Sequence, residues 1–363
     1  MRRRTFLEIM TGSAVGAAWT RRLSGGGPRG VPRRSADFRA WTWVHGNSRD
    51  DAASWRALFG RVRAAGITGV LVGGGDAATL AAAARAEGLA FHRWTWIMNR
   101  SGDEWVKKNH PEWFNVSRAG ESSLTKPPYV SYYQWLCPTR PEVRDYLRGI
   151  VDEVAREPGV DGVHLDYIRH PDVILPRGLW SKYNLVQNEE LPEFDFCYCD
   201  VCRAAFKRET GTDPLKLPDP TADRAWREFR WNAITGVVRT LSGAVHDRGK
   251  QITAAVFPTP SLARKLVRQA WEQWPLDAVF PMLYHGFYLE EVPWIGTAAR
   301  EGISALRKDE PLYAGLYLPD LEPAKLGQAI NTARDAGASG VSFFDMNGLT
   351  DAHLAVIRDA VIR

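Results

Sequence analysis

The chain has 363 residues, 45% hydrophobic and 25% charged, which fits one large globular domain or two ordinary ones and excludes a disordered, collagen-like or coiled-coil chain. No run approaches the roughly 20 apolar residues of a membrane-spanning helix. The net charge is +5, but residues 1–34 hold eight arginines and one glutamate, or +7, so the remaining 329 residues carry −2 and offer no phosphate-tracking surface for nucleic acid.

At the N-terminus, Met1-Arg2-Arg3-Arg4-Thr5-Phe6-Leu7 places an arginine pair one residue before Phe-Leu, a pattern that resembles the twin-arginine export signal. A small-residue stretch follows over 11–18, and a Gly-, Pro- and Arg-rich linker over 21–34. The expectation is an exported protein, periplasmic or extracellular. Glu8 and the shortness of the apolar segment leave a plain basic tail as the alternative.

Beyond residue 35, short β-rich runs alternate with longer helical patterns. Strands are expected over 38–45, 67–73, 90–98, 160–168, 251–257, 278–284, 312–318 and 340–344. Helical periodicity falls between them, over 50–65, 77–86, 141–156, 222–248 and 323–336. Eight such units make an α/β fold, a closed (β/α)8 TIM barrel spanning 35–363 as one domain. An open doubly wound sheet is the rival, but Val44-His45-Gly46-Asn47 follows the first strand where a glycine-rich phosphate loop would stand. A barrel needs roughly 250 residues, so the excess lies in long loops after strands 3 (99–140) and 4 (170–221), on the face where barrel enzymes build their sites.

The first and third strands carry Trp41-Thr42-Trp43 and Trp94-Thr95-Trp96, whose period of two sends each tryptophan pair to one face. Trp41 and Trp94, the deeper members, read as core. Trp43 and Trp96 are candidate stacking surfaces for sugar rings, joined by Asn99 at the opening of the third loop. Of the 15 tryptophans, Trp105, Trp113, Trp135 and Trp180 fall in the long loops, where core filling is the weaker explanation and stacking on a sugar is expected of at least one.

In the fourth strand, Val163 and Leu165 alternate with His164 and Asp166, so the two polar residues share the inward face. Near the strand's carboxyl end, Asp166 would open into the site as nucleophile, base or electrostatic stabiliser. The plainer reading is a structural aspartate bonded to loop amides or Arg169. His164 and Arg169 are taken as substrate contacts. His164, Asp166 and His170 are also close enough in sequence to raise a catalytic metal, although the first strand lacks the His-x-His of metal-dependent amidohydrolase barrels. After the sixth strand, Tyr284-His285 would bond substrate hydroxyls or an acidic partner, or form a buried satisfied pair.

The four cysteines are Cys137, Cys197, Cys199 and Cys202, three of them in one C-x-C-x2-C run. Structural zinc, disulfides and free thiols all remain open, the first two pinning the fourth loop. No cofactor is expected for catalysis.

The run from Asp161 to Pro171 (DGVHLDYIRHP), the upstream Pro138 to Leu147 (PTRPEVRDYL), and Cys197 to Arg203 (CYCDVCR) resemble the family-10-like glycosyl hydrolases, exported bacterial (β/α)8 proteins. The resemblance covers about 38–344. It implies hydrolysis of glycosidic bonds in an oligo- or polysaccharide, with Asp166 matching the acid of the family's fourth strand. Many relatives carry two consecutive acids there, whereas Tyr167 follows here, so the second carboxylate must come from elsewhere. Asp345 follows its strand most closely and ranks first, and Asp320 second. Glu112 and Glu290 would need loops to deliver them. The rivals are a non-catalytic carbohydrate-binding barrel and a metal-dependent hydrolase of another bond.

Overall fold

The computed structural model describes residues 38–47 and 51–362, and the expected export leader lies outside them. Among the described residues eight strands form: β1 (Arg39–Gly46), β2 (Gly69–Gly74), β3 (Ala90–Trp96), β4 (Gly162–Asp166), β5 (Gln251–Val256), β6 (Ala278–Pro281), β7 (Tyr313–Tyr317) and β8 (Gly340–Phe344). Ten helices alternate with them or decorate the loops: α1 (Ala52–Ala64), α2 (Ala77–Ala86), α3 (Glu104–Asn109), α4 (Pro141–Arg156), α5 (Asp200–Thr210), α6 (Arg224–His246), α7 (Pro260–Val267), α8 (Pro293–Ala305), α9 (Pro323–Asp335) and α10 (Asp351–Val361).

Local chemistry starts these helices where they start. Asp51, Asp76 and Asp223 accept hydrogen bonds from the backbone of Ser54, Thr79 and Trp226, satisfying amides that have no partner within the helix. Pro141, Pro260, Pro293 and Pro323 stand in the first turn of α4, α7, α8 and α9, where a missing N–H costs nothing. α4 then buries Val143, Leu147, Val151 and Ala155, a four-residue repeat that lays one stripe against the sheet.

All strand pairs are parallel, in the order β6-β5-β4-β3-β2-β1-β8-β7. The ring closes between β6 and β7 through the bridges Val279–Leu312 and Met282–Gly315, with the Val279 amide donating to Pro311 at 3.0 Å. The expected TIM barrel is therefore the observed one. Two strands end earlier than the apolar runs do. Tyr167 adopts φ +49°, which turns the chain out of the ladder after Asp166, and Leu283 N–H turns back to the Pro281 carbonyl, so Tyr284 lies beyond β6.

Inward-facing Trp41, Trp43, Leu71, Trp94, Phe280 and Tyr313 form an aromatic plug inside the barrel. Gly69 and Gly73 on β2 make it possible, because a Cβ at either would run into the indole of Trp41 or Trp94. Among these rings sit His92 and His164, both bonded through Nδ1 to the Thr253 hydroxyl, at 3.3 and 2.9 Å. Burial holds both imidazoles below their usual pKa, His92 at about 4, so they stand neutral in the plug.

Candidate active site at the barrel mouth

Asp166 is the last residue of β4, one inward step above His164. Its Oδ2 accepts the Trp94 indole N–H at 2.9 Å and its Oδ1 the Tyr167 backbone N–H at 2.6 Å. Loss of water on the aromatic floor raises its pKa; Trp94, the Tyr167 amide and Arg169 act in the opposite direction and do not cancel that effect. Beside it in the β3–β4 register stands Trp96, 36% exposed. The Trp96 ring lies 4.6 Å from Tyr167 and 6.4 Å from Tyr132, itself 43% exposed, which makes an open aromatic wall next to the carboxyl.

Across the mouth, β8 delivers Phe344 and Asp345. The Asp345 side chain is 21% exposed, accepts the Asn347 N–H at 2.8 Å, and lies 3.5 Å from Nε2 of His45 at the end of β1. It caps the short turn Met346–Gly348, while Thr350 caps α10 in a reciprocal pair with His353. The His45 ring is 5.0 Å from Trp94, so Asp166, Trp94, His45 and Asp345 form a continuous line across the mouth. Asp345, Tyr317, Phe344, Asn347 and His353 line a depression of about 520 Å³.

Tyr284 lies within the field of both carboxylates. Its pKa is pushed up, first by burial and then by the neighbouring acidic groups Asp166, Tyr317 and Asp345, so its hydroxyl keeps its proton and can only be a neutral donor or acceptor. Its ring lies 5.2 Å from Tyr317 and 6.3 Å from Phe344. His285 is buried, and its pKa is lowered by burial against the pull of Asp320. The Asp320 carboxylate lies over the backbone of Gly286, in the space a Cβ there would take.

Six expected substrate contacts prove to be closed to solvent. Trp43 is part of the plug, edge-on to His164 at 5.6 Å. His164 is spent on Thr253. Asn99 accepts the Ser101 amide through Oδ1 and pairs with Trp135 in a small bridge beneath the loop. Trp135 is fully buried, and the Arg169 guanidinium sits 4.8 Å from its ring centre; Arg169 itself pairs with buried Asp172 at 2.7 Å, not with Asp166. Trp113 stacks on His110 at 3.9 Å with little of its surface left. Of the other loop tryptophans, Trp105 is exposed but stacks on Tyr146 of α4, and Trp180 donates to the Leu175 carbonyl. His164, Asp166 and His170 do not converge on one point either: His164 faces the plug, and His170 is held neutral, at about 3, by burial and by Arg230 and Arg268. Sequence reasoning missed His45, Tyr317 and Phe344, although each ends a strand on the inward face.

Elsewhere the two long loops are joined to each other. Ser117 pairs with Phe196, and the Tyr198 amide donates to the Val116 carbonyl, while the bridges Phe114–Leu136 and Val116–Ser122 fold the third loop on itself. Asp195, fully buried, pairs with Arg230 and accepts the Tyr198 hydroxyl at 2.7 Å. The four cysteines are buried, free thiols with Sγ atoms all within 4.8 Å of one another.

No protein-family model and no curated protein matches the chain. Solved structures do match its fold. The glycoside hydrolase domain of PgaB (BpsB) from Bordetella bronchiseptica superposes with a TM-score of 0.65 at 13% identity, covering 89% of this chain and 99% of that one. The catalytic domain of β-amylase from Paenibacillus polymyxa gives 0.63 at 11% identity, over 90% and 98%. α-L-Fucosidase isoenzyme 2 from Paenibacillus thiaminolyticus gives 0.55 at 14%, over 90% of this chain and 49% of that one. At such identities the likeness shows a shared (β/α)8 fold.

Proposed function

We propose that this chain hydrolyses glycosidic bonds in an oligo- or polysaccharide, with Asp166 as general acid and Asp345 as the second carboxylate. The observation that carries the reading is the pairing of two environments at one barrel mouth. One carboxyl stands on an aromatic floor with its pKa raised by burial; the other, with its side chain 21% exposed, is oriented by a backbone amide and His45. Pairs of acids set apart in this way are what glycosidic cleavage uses. Asp166 would protonate the leaving oxygen, with Trp94 and the Tyr167 amide fixing its two oxygens and stabilising the carboxylate left behind. Asp345 would act on the far face of the sugar ring, as base or nucleophile. Trp96 and Tyr132 offer flat apolar faces for a bound ring. The strand-4 motif resembling the family-10-like glycosyl hydrolases, and the glycoside hydrolases among the fold neighbours, point the same way.

The test is a screen of bacterial, algal and plant glycans with product analysis, repeated with Asp166→Asn. Release of reducing ends by the wild type and its loss in a folded variant is expected. Sugar binding without turnover in the wild type would overturn the assignment in favour of a binding barrel.

A further inference from the structure

The proposed chemistry leaves the cysteine run unused, and its geometry is specific. Cys137 comes from the third loop, four residues before α4 begins at Pro141; Cys197, Cys199 and Cys202 come from the fourth, with Cys199 at the N-cap of α5 and Cys202 in its first turn. Sγ of Cys137 is 3.6 Å from that of Cys199 and 3.4 Å from that of Cys202, and all four sulfurs lie within 4.8 Å of one another. A tetrahedral zinc with Zn–S of about 2.3 Å separates its sulfurs by about 3.8 Å, so the four thiols already stand near the corners such an ion requires. Disulfide chemistry would draw sulfurs together in twos, but Cys137 is almost equally close to two partners, and the four form a cage without pairs.

The surroundings fit a negatively charged centre. Zinc with four thiolates carries a net charge of −2, which buried protein tolerates only with compensating donors and cations. Arg140 and Arg144 both lie in the electrostatic field of the thiols, Arg140 with its Nε buried and without a protein partner. The Val116 amide donates to Sγ of Cys197 at 3.5 Å, the Thr139 hydroxyl lies 3.2 Å from Sγ of Cys202, and the N-terminus of the 11-residue α5 directs its dipole at the cage. Phe196, Tyr198, Phe206 and Trp226 seal the cage from water. Four thiols are a complete donor set for a tetrahedral ion, as a structural site requires.

We propose that Cys137, Cys197, Cys199 and Cys202 bind one zinc ion that clamps the third loop to the fourth. Each cysteine enters as thiolate, so binding releases up to four protons to solvent and involves no change of oxidation state. The clamp lies two residues from Trp135, whose ring supports Arg169 and Tyr167 beside Asp166, so the ion acts on the site only by holding that wall.

The experiment is metal analysis and thiol titration of the full chain purified without chelator. The expected result is about one zinc per chain, with all four thiols unreactive until a mercurial displaces the ion and then all four titrating. Cobalt exchanged into the same protein should give the intense visible bands of a tetrahedral thiolate centre, a readout that needs no variant to fold. Cys202→Ser should lose the metal or, if it does not fold, leave the cobalt spectrum as the deciding measurement. Metal-free protein with four freely reactive thiols, or with thiols missing after denaturation because they are paired, would overturn the proposal. Loss of turnover on zinc removal with the fold intact would overturn the structural role, whereas an inactive but zinc-loaded wild type would count against the proposed hydrolysis alone.

Discussion

Trp94→Phe isolates one hydrogen bond at the proposed acid. The indole N–H is 2.9 Å from Oδ2 of Asp166, and a phenyl ring would keep much of the packing on His45 and Phe344 while removing the donor. A hydrogen bond to a charged group is worth about 1.5–3 kcal/mol, which at about 1.36 kcal/mol per unit is a further rise of about 1–2 units in the Asp166 pKa. A carboxyl whose folded pKa lies above the unfolded value of about 3.9 leaves stability whole below that pH and removes it as pH rises through the folded value. The variant should therefore lose about 1.5–3 kcal/mol more than the wild type between pH 4 and 8, on top of a constant packing loss. Urea unfolding across that range, with Asp166→Asn in each background to subtract every other group, measures this without a substrate. On a cleaved glycan, the limb of the pH–rate profile that reports the acid should move alkaline by the same interval. A pH dependence equal to that of the wild type would show that Trp94 does not hold the Asp166 carboxylate, and would remove its stabilising role from the mechanism.

Asp166→Asn should keep the fold and lose roughly 10²-fold or more in turnover, recovering best on aryl glycosides with activated leaving groups. Asp345→Asn should lose a similar factor without that recovery, and Asp320→Asn should change turnover little; kinetics on natural and activated substrates decide among them. Trp96→Ala should raise KM roughly tenfold with the melting temperature unchanged, since the ring is already partly exposed, whereas Trp135→Ala should cost about 3–5 kcal/mol of stability by opening a cavity under Arg169. His92 and His170, held near 4 and 3 by burial, stay neutral while the unfolded chain protonates, so stability should be whole above about pH 6.5 and fall by a few kcal/mol toward pH 4; equal urea midpoints at pH 7.5 and 5 would contradict it.

The barrel was legible because its signals are local. β8 falls on 340–344 as read, α4 on Pro141–Arg156 and α2 on Ala77–Ala86, the two helices set by periodicity and a proline or aspartate at the start. The inward face of β4 was equally legible, since alternation alone separates His164 and Asp166 from Val163 and Leu165. Depth was not. Period two says which face a residue takes but not how far the interior is filled, and Trp43 and His164 lie within the plug while Trp96 rises above it. The loop tryptophans failed for a related reason: Trp113 and Trp135 are covered by loop residues 110, 133, 167 and 169, whose arrival there depends on long-range closure that no window of sequence contains. Asp345 was nearer to legible, being the first residue after β8, but its partner His45 comes from the other end of the chain.

The plug also explains why an acid at this position differs from an ordinary strand-end aspartate. Successive inward residues on a strand stand about 6.6 Å apart along it, so a filled layer at His164 places the next inward side chain on top of the packing. On β4 that residue is Asp166, with Trp96 of β3 beside it in register, the Trp94 indole donating to it from the layer of His164, and Trp43 and Phe280 around the imidazole below. Removing those rings would let water reach the carboxyl from beneath, and its pKa would fall back toward the ordinary aspartate value. The glycines of β2 are part of the same device: with a side chain at Gly73, Trp94 could not lie where its N–H meets Oδ2, and Asp166 would lose its orienting donor and part of its dry floor together. The tryptophans of the plug thus act on Asp166 from below, by fixing the height of its carboxyl, whereas Trp96 stands open beside it.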